Sequence, residues 1–169
     1  MVGVQLYELK CKKLNDCTIK VNKIDWAKNS DTFFNYIDLS SVSRENQSIE
    51  DTNVIDKKSA PTRAQQIIQK EDILFGTTRP LLKMFTIVPS EYDNQICSAG
   101  FCVLRAKKNM ILPKWIFYNI TSNLFLSYAE NHQKGTSYPA ISDKEVKKDI
   151  DVFPMFLCTG FLFFSCSTI

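Results

Sequence analysis

The sequence predicts an α+β fold with a β-rich core, packed helices and long polar loops. Short runs of aromatic and β-branched residues alternate with polar stretches, which is typical of strands joined by loops. One longer segment carries apolar residues at helical spacing. The chain has 169 residues, of which 44% are hydrophobic and 23% are charged. These proportions are those of a folded domain large enough to bury a core.

Four segments have the composition of strands, namely residues 34–39, 72–76, 85–88 and 100–105. The first mixes aromatic with β-branched residues, and the second is a short apolar run that ends at Gly76. The segments between them are polar and rich in serine, threonine, asparagine and proline. Those segments are therefore predicted to be turns and loops.

Two short helices are predicted beside these strands. Pro61 interrupts the chain, and Thr62 is placed to cap a helix in which Ala64, Ile67 and Ile68 share a face. Residues 142–145 (Ser-Asp-Lys-Glu) have the spacing of a capping box, which predicts the start of another helix.

The clearest predicted helix runs from about residue 113 to about residue 128. Pro113 suits the first helical turn, where a missing N–H costs nothing. The apolar positions form one i, i+4 row with Trp115 beside it. They are Leu112, Ile116, Ile120, Leu124 and Tyr128.

Residues 1–150 are predicted to form one domain, and residues 151–169 a separate apolar tail. No charged residue follows Asp151, and phenylalanine, leucine and methionine are crowded there. The tail is shorter than the roughly 20 apolar residues of a spanning helix. Pro154 and Gly160 also interrupt it. The expectation is a buried or aberrant segment and no membrane partner.

The cysteines favour reduced thiols in a cytoplasmic protein. There are six, none in a Cys-x-x-Cys pair, and His132 is the only histidine. A structural zinc site usually needs two close ligand pairs, so no metal site is predicted. The first residues lack the basic and apolar regions of a secretory signal.

Catalytic patterns are weak throughout the sequence. We find no phosphate-binding P-loop, dinucleotide fingerprint or methyltransferase motif. A small hydrolase would have to use His132, which lies in a polar stretch typical of loops. Asp38, Asp72 and Asp93 are scattered, and such carboxylates are usually solvated or capping groups. The chain is therefore not predicted to be an enzyme.

Polar loops that pair cations with hydroxyl groups are the more informative feature. Phosphates accept hydrogen bonds from such groups, and arginine can contact guanine edges through two bonds. The net charge of +3 permits a polyanionic partner without requiring one. An ordinary solvated surface is the alternative interpretation. The segments concerned are residues 57–58, 63, 77–79, 83, 105–108 and 134–138.

Five ordered blocks resemble the target-recognition domain of type I restriction-modification specificity subunits. They are FNYIDLSSV (34–42), APTRAQ (60–65), EDILFGTTRP (71–80), ICSAGFCVLR (96–105) and KGTSYPAIS (134–142). Together they span roughly residues 30–150. Their order and spacing carry the resemblance, since each block alone is a weak signal.

The resemblance implies sequence-specific reading of one half of a bipartite target in double-stranded DNA. In that family, two recognition domains are joined by two long helices, and these helices dock methyltransferase (modification) subunits. Those partners bind S-adenosylmethionine and flip an adenine out of the duplex. A restriction subunit adds ATP- and Mg-dependent cleavage. This chain would then hold no cofactor, and as a half-subunit it would self-associate.

The resemblance also divides the candidate DNA-contacting residues into two groups. Features shared by family members with different targets cannot distinguish those targets, so they suit loop geometry and phosphate contact. These are Arg63, Thr77, Thr78, Arg79, Lys134, Gly135, Thr136 and Tyr138. Base readers are expected in the loops between the blocks. The candidates are Arg44, Asn46, Gln47, Lys83, Asn94, Lys107, Lys108 and Gln133.

Alternatives to this interpretation remain open from the sequence. Arg79 is expected either to contact phosphate or to fold back onto a carboxylate such as Asp72. In the family, a proline-rich turn and a long helix follow the domain, whereas this sequence continues with the apolar tail. The chain is therefore a DNA reader, a truncated non-functional remnant, or a protein-interaction module that uses Trp115, Phe117 and the tail.

Overall fold

The computed structural model describes residues 12–29, 32–148 and 151–152. The strands are β1 (Lys12–Lys13), β2 (Thr18–Ile19), β3 (Phe34–Ile37), β4 (Asn53–Ile55), β5 (Ala64–Ile67), β6 (Ile73–Gly76), β7 (Phe85–Ile87), β8 (Ile96–Ser98), β9 (Phe101–Ala106) and β10 (Asp151–Val152). The helices are α1 (Leu14–Cys17), α2 (Pro113–Ile120), α3 (Asn123–His132) and α4 (Asp143–Lys148). The α+β class predicted from the sequence is confirmed.

Two four-stranded sheets form the centre of the fold. The first sheet has the order β2-β9-β6-β7, and all its pairs are antiparallel. The second has the order β4-β3-β8-β5, in which β3 and β8 run parallel. Ala99 and Gly100 link β8 directly to β9, so the chain crosses from one sheet to the other there. A separate pair joins β1 to β10.

Side chains of β6 and β9 alternate between two hydrophobic clusters. Phe75 and Cys102 face a cluster that contains residues of all four helices. Leu74 and Val103 face the second sheet and pack with Ile37. Successive strand residues point to opposite faces, so covering both faces buries both strands along their length. The first sheet is therefore the middle layer of the domain.

Cys97 and Cys102 lie within these clusters. Burial raises the pKa of both thiols, because the charged thiolate would lose its water. Both therefore stay protonated at neutral pH and act as small apolar groups.

A buried ion pair crosses the first sheet. The Arg105 Nε and Nη2 donate to the Asp72 carboxylate over 2.8 and 2.6 Å. The Asp72 side chain is 1% exposed and that of Arg105 13%. Asp72 also accepts from the Gln69 N–H, and Arg105 donates to the Ile67 carbonyl. The sequence had suggested that Asp72 is a solvated or capping carboxylate. The structure shows instead that it is buried and paired with Arg105.

The predicted strands and the last predicted helix are confirmed. β3, β6, β7 and β9 lie within or beside the four predicted segments. At the start of α4, the Ser142 hydroxyl accepts a hydrogen bond from the Glu145 N–H over 3.2 Å, as a capping serine does.

The short helix predicted after Thr62 is wrong, because residues 64–67 form β5. Ala64 pairs with Ser98 and Ile67 with Ile96, with a bulge between them. The Gln66 side chain donates to the Phe101 carbonyl over 2.8 Å. Pairing with β8 gives this segment partners that an isolated helical turn would lack, so tertiary context overrides the local signal.

The single helix predicted over residues 113–128 is wrong as well, since α2 and α3 are separate. The Thr121 hydroxyl donates to the Phe117 carbonyl, and the Ser122 hydroxyl caps α3 by accepting from the Phe125 N–H. Because α3 begins anew at Asn123, its buried face is rotated relative to that of the single predicted helix. Phe125 is buried, whereas Leu124, placed on the predicted apolar row, is 85% exposed.

The predicted tail lies almost wholly outside the described residues. Its first two positions, Asp151 and Val152, form β10 and pair with Lys13 and Lys12. Within the described part of the chain, no helix is long and apolar enough to span a bilayer.

We predict that Arg105→Met lowers the free energy of unfolding by about 3–5 kcal/mol, because it leaves the Asp72 carboxylate buried and unpaired. The matched control is Lys28→Met. Lys28 and Asp25 also form an ion pair, but their side chains are 84% and 52% exposed. That change is expected to stay within about 1 kcal/mol. Urea unfolding of both variants tests this, and equal losses would contradict it.

Candidate nucleic-acid interface

Several polar loops meet at one end of the two sheets, which we call the Gly100 end. There β6 ends at Gly76 and β9 begins at Phe101. The N–H and hydroxyl of Thr77 both donate to the Gly100 carbonyl, over 2.9 and 2.8 Å. The Leu39 side chain packs so closely that a Cβ on Gly76 or Gly100 would lie 3.2 or 3.0 Å from it. These contacts fix the loop bases.

A tight turn leaves the first sheet after Thr77. It contains a 3-10 helix, Pro80–Leu82, flanked by Arg79 and Lys83. Both flanking residues have left-handed backbone angles, with φ of 49° for Arg79 and 57° for Lys83. Non-glycine residues rarely adopt this conformation, which costs roughly 1–2 kcal/mol each. Neither angle has a sequence signature, so sequence reasoning could not find them.

The loop of residues 134–140 is joined to this turn. Lys134 and Ala140 exchange two backbone hydrogen bonds of 2.8 and 2.9 Å. The Arg79 N–H donates to the Pro139 carbonyl over 2.7 Å. Gly135 has φ of 98°, and a Cβ there would lie 3.1 Å from the Tyr138 carbonyl oxygen. The two loops therefore form one unit that requires glycine at residue 135.

The Arg79 side chain holds this unit together. Its Nη2 donates to the Ser137 carbonyl over 3.1 Å, and its guanidinium lies 5.0 Å from the centre of the Tyr138 ring. The alternative prediction that Arg79 contacts Asp72 is wrong, because the Asp72 carboxylate is paired with Arg105. A guanidinium has five N–H donors, and the described residues accept from only one of them.

The structure thus brings all eight predicted phosphate-contacting residues to the Gly100 end. The Arg63 carbonyl accepts from the Ala99 N–H over 2.8 Å, which places Arg63 beside the crossing between sheets. All are exposed or partly exposed except Thr77, which is buried. They are Arg63, Thr77, Thr78, Arg79, Lys134, Gly135, Thr136 and Tyr138.

Three of the predicted base readers lie at the opposite end of the first sheet, which we call the Lys107 end. Lys107 and Lys108 follow the far end of β9, and Asn94 lies in the turn between β7 and β8. Lys107 donates from its ammonium to the Asp16 carbonyl. A groove of about 850 Å³ opens there, lined by charges of both signs.

The remaining base readers belong to loops that begin at the Gly100 end. Arg44, Asn46 and Gln47 lie in a turn that follows Ser41, whose carbonyl accepts from the Glu50 N–H. Lys83 closes the turn after Arg79. Gln133 follows the last residue of α3 and precedes Lys134.

Side-chain hydrogen bonds separate these candidates further. The Asn46 amide donates to Glu50, and the Asn94 amide to Asp93. Among the described residues, five candidate side chains have no hydrogen-bond or ion-pair partner and remain available to a ligand. They are Arg44, Gln47, Lys83, Lys108 and Gln133.

The described residues near these loops include no metal-binding cluster. Within residues 12–29, 32–148 and 151–152, no three His, Cys, Asp or Glu side chains cluster closely enough to hold an ion. The His132 Nδ1 lies 2.8 Å from the Tyr128 carbonyl, and its ring stacks on the Tyr128 ring. His132 is therefore the last residue of α3 and packs against Tyr128 of the preceding turn.

Solved structures give the broadest similarity to known proteins. The HsdS subunit from Thermoanaerobacter tengcongensis is 33% identical over 89% of this chain, with a TM-score of 0.76. A chain from a structural study of type I restriction-modification complex assembly is 34% identical over 83%, also with a TM-score of 0.76. This chain covers 40% and 37% of those two chains.

A sequence relative agrees with the solved structures. The specificity subunit of the type I restriction enzyme HindI from Haemophilus influenzae is 32% identical over 71 residues. That match covers 42% of this chain and 16% of the relative. No family model matches the chain.

The chain is thus an α+β domain of the kind found in type I restriction specificity subunits, and the resemblance seen in the sequence is confirmed. It spans less than half the length of the relatives it matches. The similarity therefore concerns one domain-sized part of those larger proteins.

We predict that Arg79→Ala lowers stability by on the order of 1 kcal/mol, because the Ser137 carbonyl and the Tyr138 ring lose their partner. The amide protons of Lys134 and Ala140 should exchange faster with solvent. Lys134→Ala is the control, since the described residues offer its side chain no partner. Unchanged exchange in Arg79→Ala would show that Arg79 does not support the loop.

Proposed function

We propose that this chain recognises one half of a bipartite target in double-stranded DNA, as the reading domain of a type I specificity subunit. The observation that carries the proposal is the similarity to an HsdS subunit over 89% of the chain at 33% identity. At that level of identity, fold and sequence point to the same class of protein.

The geometry of the Gly100 end supports this proposal. Turn backbone and side chains there offer N–H, hydroxyl and cationic donors, which are the groups that bind DNA phosphates. The turn of residues 79–83 and the loop of residues 134–140 are joined by a backbone hydrogen bond and by the Arg79 side chain. Rigidly held donors lose less entropy on binding than mobile ones. We infer that this end faces the duplex.

The chemistry of modification and cleavage belongs, in this proposal, to partner subunits. Modification subunits would bind S-adenosylmethionine, and a restriction subunit would use ATP and Mg. This chain would hold no cofactor, would work in the cytoplasm, and would pair with a second copy or another recognition domain to read the second half-site.

The alternative of a protein-interaction module has less structural support. Trp115 and Phe117, which it would use, are partly buried against the helical cluster. Neither side chain is presented as an exposed anchor. Whether the chain is instead a non-functional remnant is decided by the binding experiment that follows.

We predict that the purified chain enriches particular sequences from random duplexes, with affinity that falls as salt rises. Arg63→Ala combined with Lys134→Ala should weaken binding to every sequence and reduce the salt slope by about two units, because each phosphate left without its cation lowers the slope by roughly 0.9. The control, Lys70→Ala with Lys114→Ala, removes two exposed lysines at the Lys107 end, one that lines the groove and one that follows Pro113 in its lining. It should leave the slope unchanged.

The opposite pattern, with the control pair alone changing the slope, would place the DNA at the Lys107 end. A chain that binds all duplexes equally would not be a specificity domain.

We also predict that the chain alone transfers no methyl group to duplex DNA from S-adenosylmethionine. Radiolabelled cofactor would measure this, with a complete type I methyltransferase as the positive control. Methyl transfer abolished by a point change in this chain would contradict the assignment of catalysis to partners.

A further inference from the structure

Lys83 occupies an unusual place in the Gly100 end. It closes the 3-10 turn Pro80–Leu82 with a left-handed backbone, and it is exposed. Among the described residues, its ammonium has no hydrogen-bond or ion-pair partner. Glycine would adopt this φ of 57° without strain. A strained residue with an unused side chain suggests a functional role for that side chain.

The backbone of Lys83 is held by hydrogen bonds on both sides. Its N–H donates to the Pro80 carbonyl over 3.1 Å, and its carbonyl accepts from the Phe85 N–H over 3.0 Å. Phe85 is fully buried, and the turn packs against α3. The backbone of Lys83 is therefore fixed, and the freedom that remains lies in its four-carbon side chain.

Lys83 is distinguished from the other candidate readers by three properties together. It lies one short turn from Arg79, its side chain is uncommitted, and its backbone is left-handed. Gln47 is also left-handed, with φ of 52°, and its side chain is uncommitted, but it lies in the separate turn after Ser41 and not in the turn that contains Arg79. Asn94 is left-handed too, with φ of 58°, but it lies at the Lys107 end and its amide is bound to Asp93.

The chemistry of the ammonium limits what Lys83 can read. It has three donors and no acceptor. In the major groove, guanine presents two neighbouring acceptors, N7 and O6. Adenine and cytosine each present a donor beside or in place of them, and thymine presents the single acceptor O4 beside a methyl group, so guanine offers the ammonium the most acceptors. Resting on the proposed DNA recognition, we propose that Lys83 reads a guanine in the major groove and determines specificity at that base pair.

The test compares base preferences of the full chain and three variants by selection from random duplexes. Lys83→Gly keeps the left-handed turn and removes the ammonium. Lys83→Arg keeps a donor-only cation. Glu71→Gly makes the same change at another exposed left-handed residue, with φ of 70°, which lies at the Lys107 end and is no candidate reader, and it serves as the matched control. Thermal unfolding of each variant confirms that the fold is retained.

Lys83→Gly should lose preference for guanine at one position by on the order of 10-fold or more, while other positions keep theirs. Lys83→Arg should retain that guanine, and Glu71→Gly should match the unchanged chain. A uniform loss on all sequences in Lys83→Gly, with a reduced salt slope, would identify a phosphate contact and overturn the proposal. An unchanged preference, or a selected target without guanine, would overturn it too.

These outcomes differ from a failure of the proposed function. If the unchanged chain selects no sequence at all, DNA recognition fails as a whole. If it selects a sequence that Lys83→Gly reads equally well, DNA recognition stands and Lys83 is not its reader.

Discussion

The bidentate pair between Arg105 and Asp72 is the interaction on which the rest of the fold depends. It joins β9 to the start of β6, and through the Ile67 carbonyl it also holds the end of β5 in the second sheet. A buried charge pair is favourable when further hydrogen bonds satisfy its polar groups, and here the Ile67 carbonyl accepts from Arg105 while the Gln69 N–H donates to Asp72. The register that it fixes at the Lys107 end also sets where Gly76 meets Phe101 at the other end.

The Gly100 end follows from that register. Because β6 and β9 are aligned, Thr77 reaches the Gly100 carbonyl, and the turn after it reaches Pro139. Stability of the two sheets therefore maintains strained backbone angles at Arg79 and Lys83 that the turn could not maintain alone. The rigid core and the polar loops have separate tasks, since one supplies stability and the other presents donors.

Sequence reasoning succeeded where periodicity and composition were local. The runs at β6 and β9 and the serine cap of α4 could be recognised from adjacent residues. It failed where distant partners decided the outcome. No residue near Ala64 indicates that this segment pairs with β8. The capping role of Ser122 could not be recognised, because the apolar i, i+4 positions continue on both sides of it. For the site, residue types indicated donors, but their division between two ends of a sheet required the topology.

The parallel pairing of β3 with β8 has a consequence for synthesis of the chain. Tyr36 pairs with Ile96, whereas the antiparallel β3–β4 pair closes much earlier. At about 5–20 residues per second, a ribosome needs several seconds to supply β8 after β3 has emerged. During that interval the edge of β3 that β8 later covers has no partner strand, and unpaired edges favour association with other chains. The nascent chain is therefore open to association through this edge while residues 56–96 are being translated.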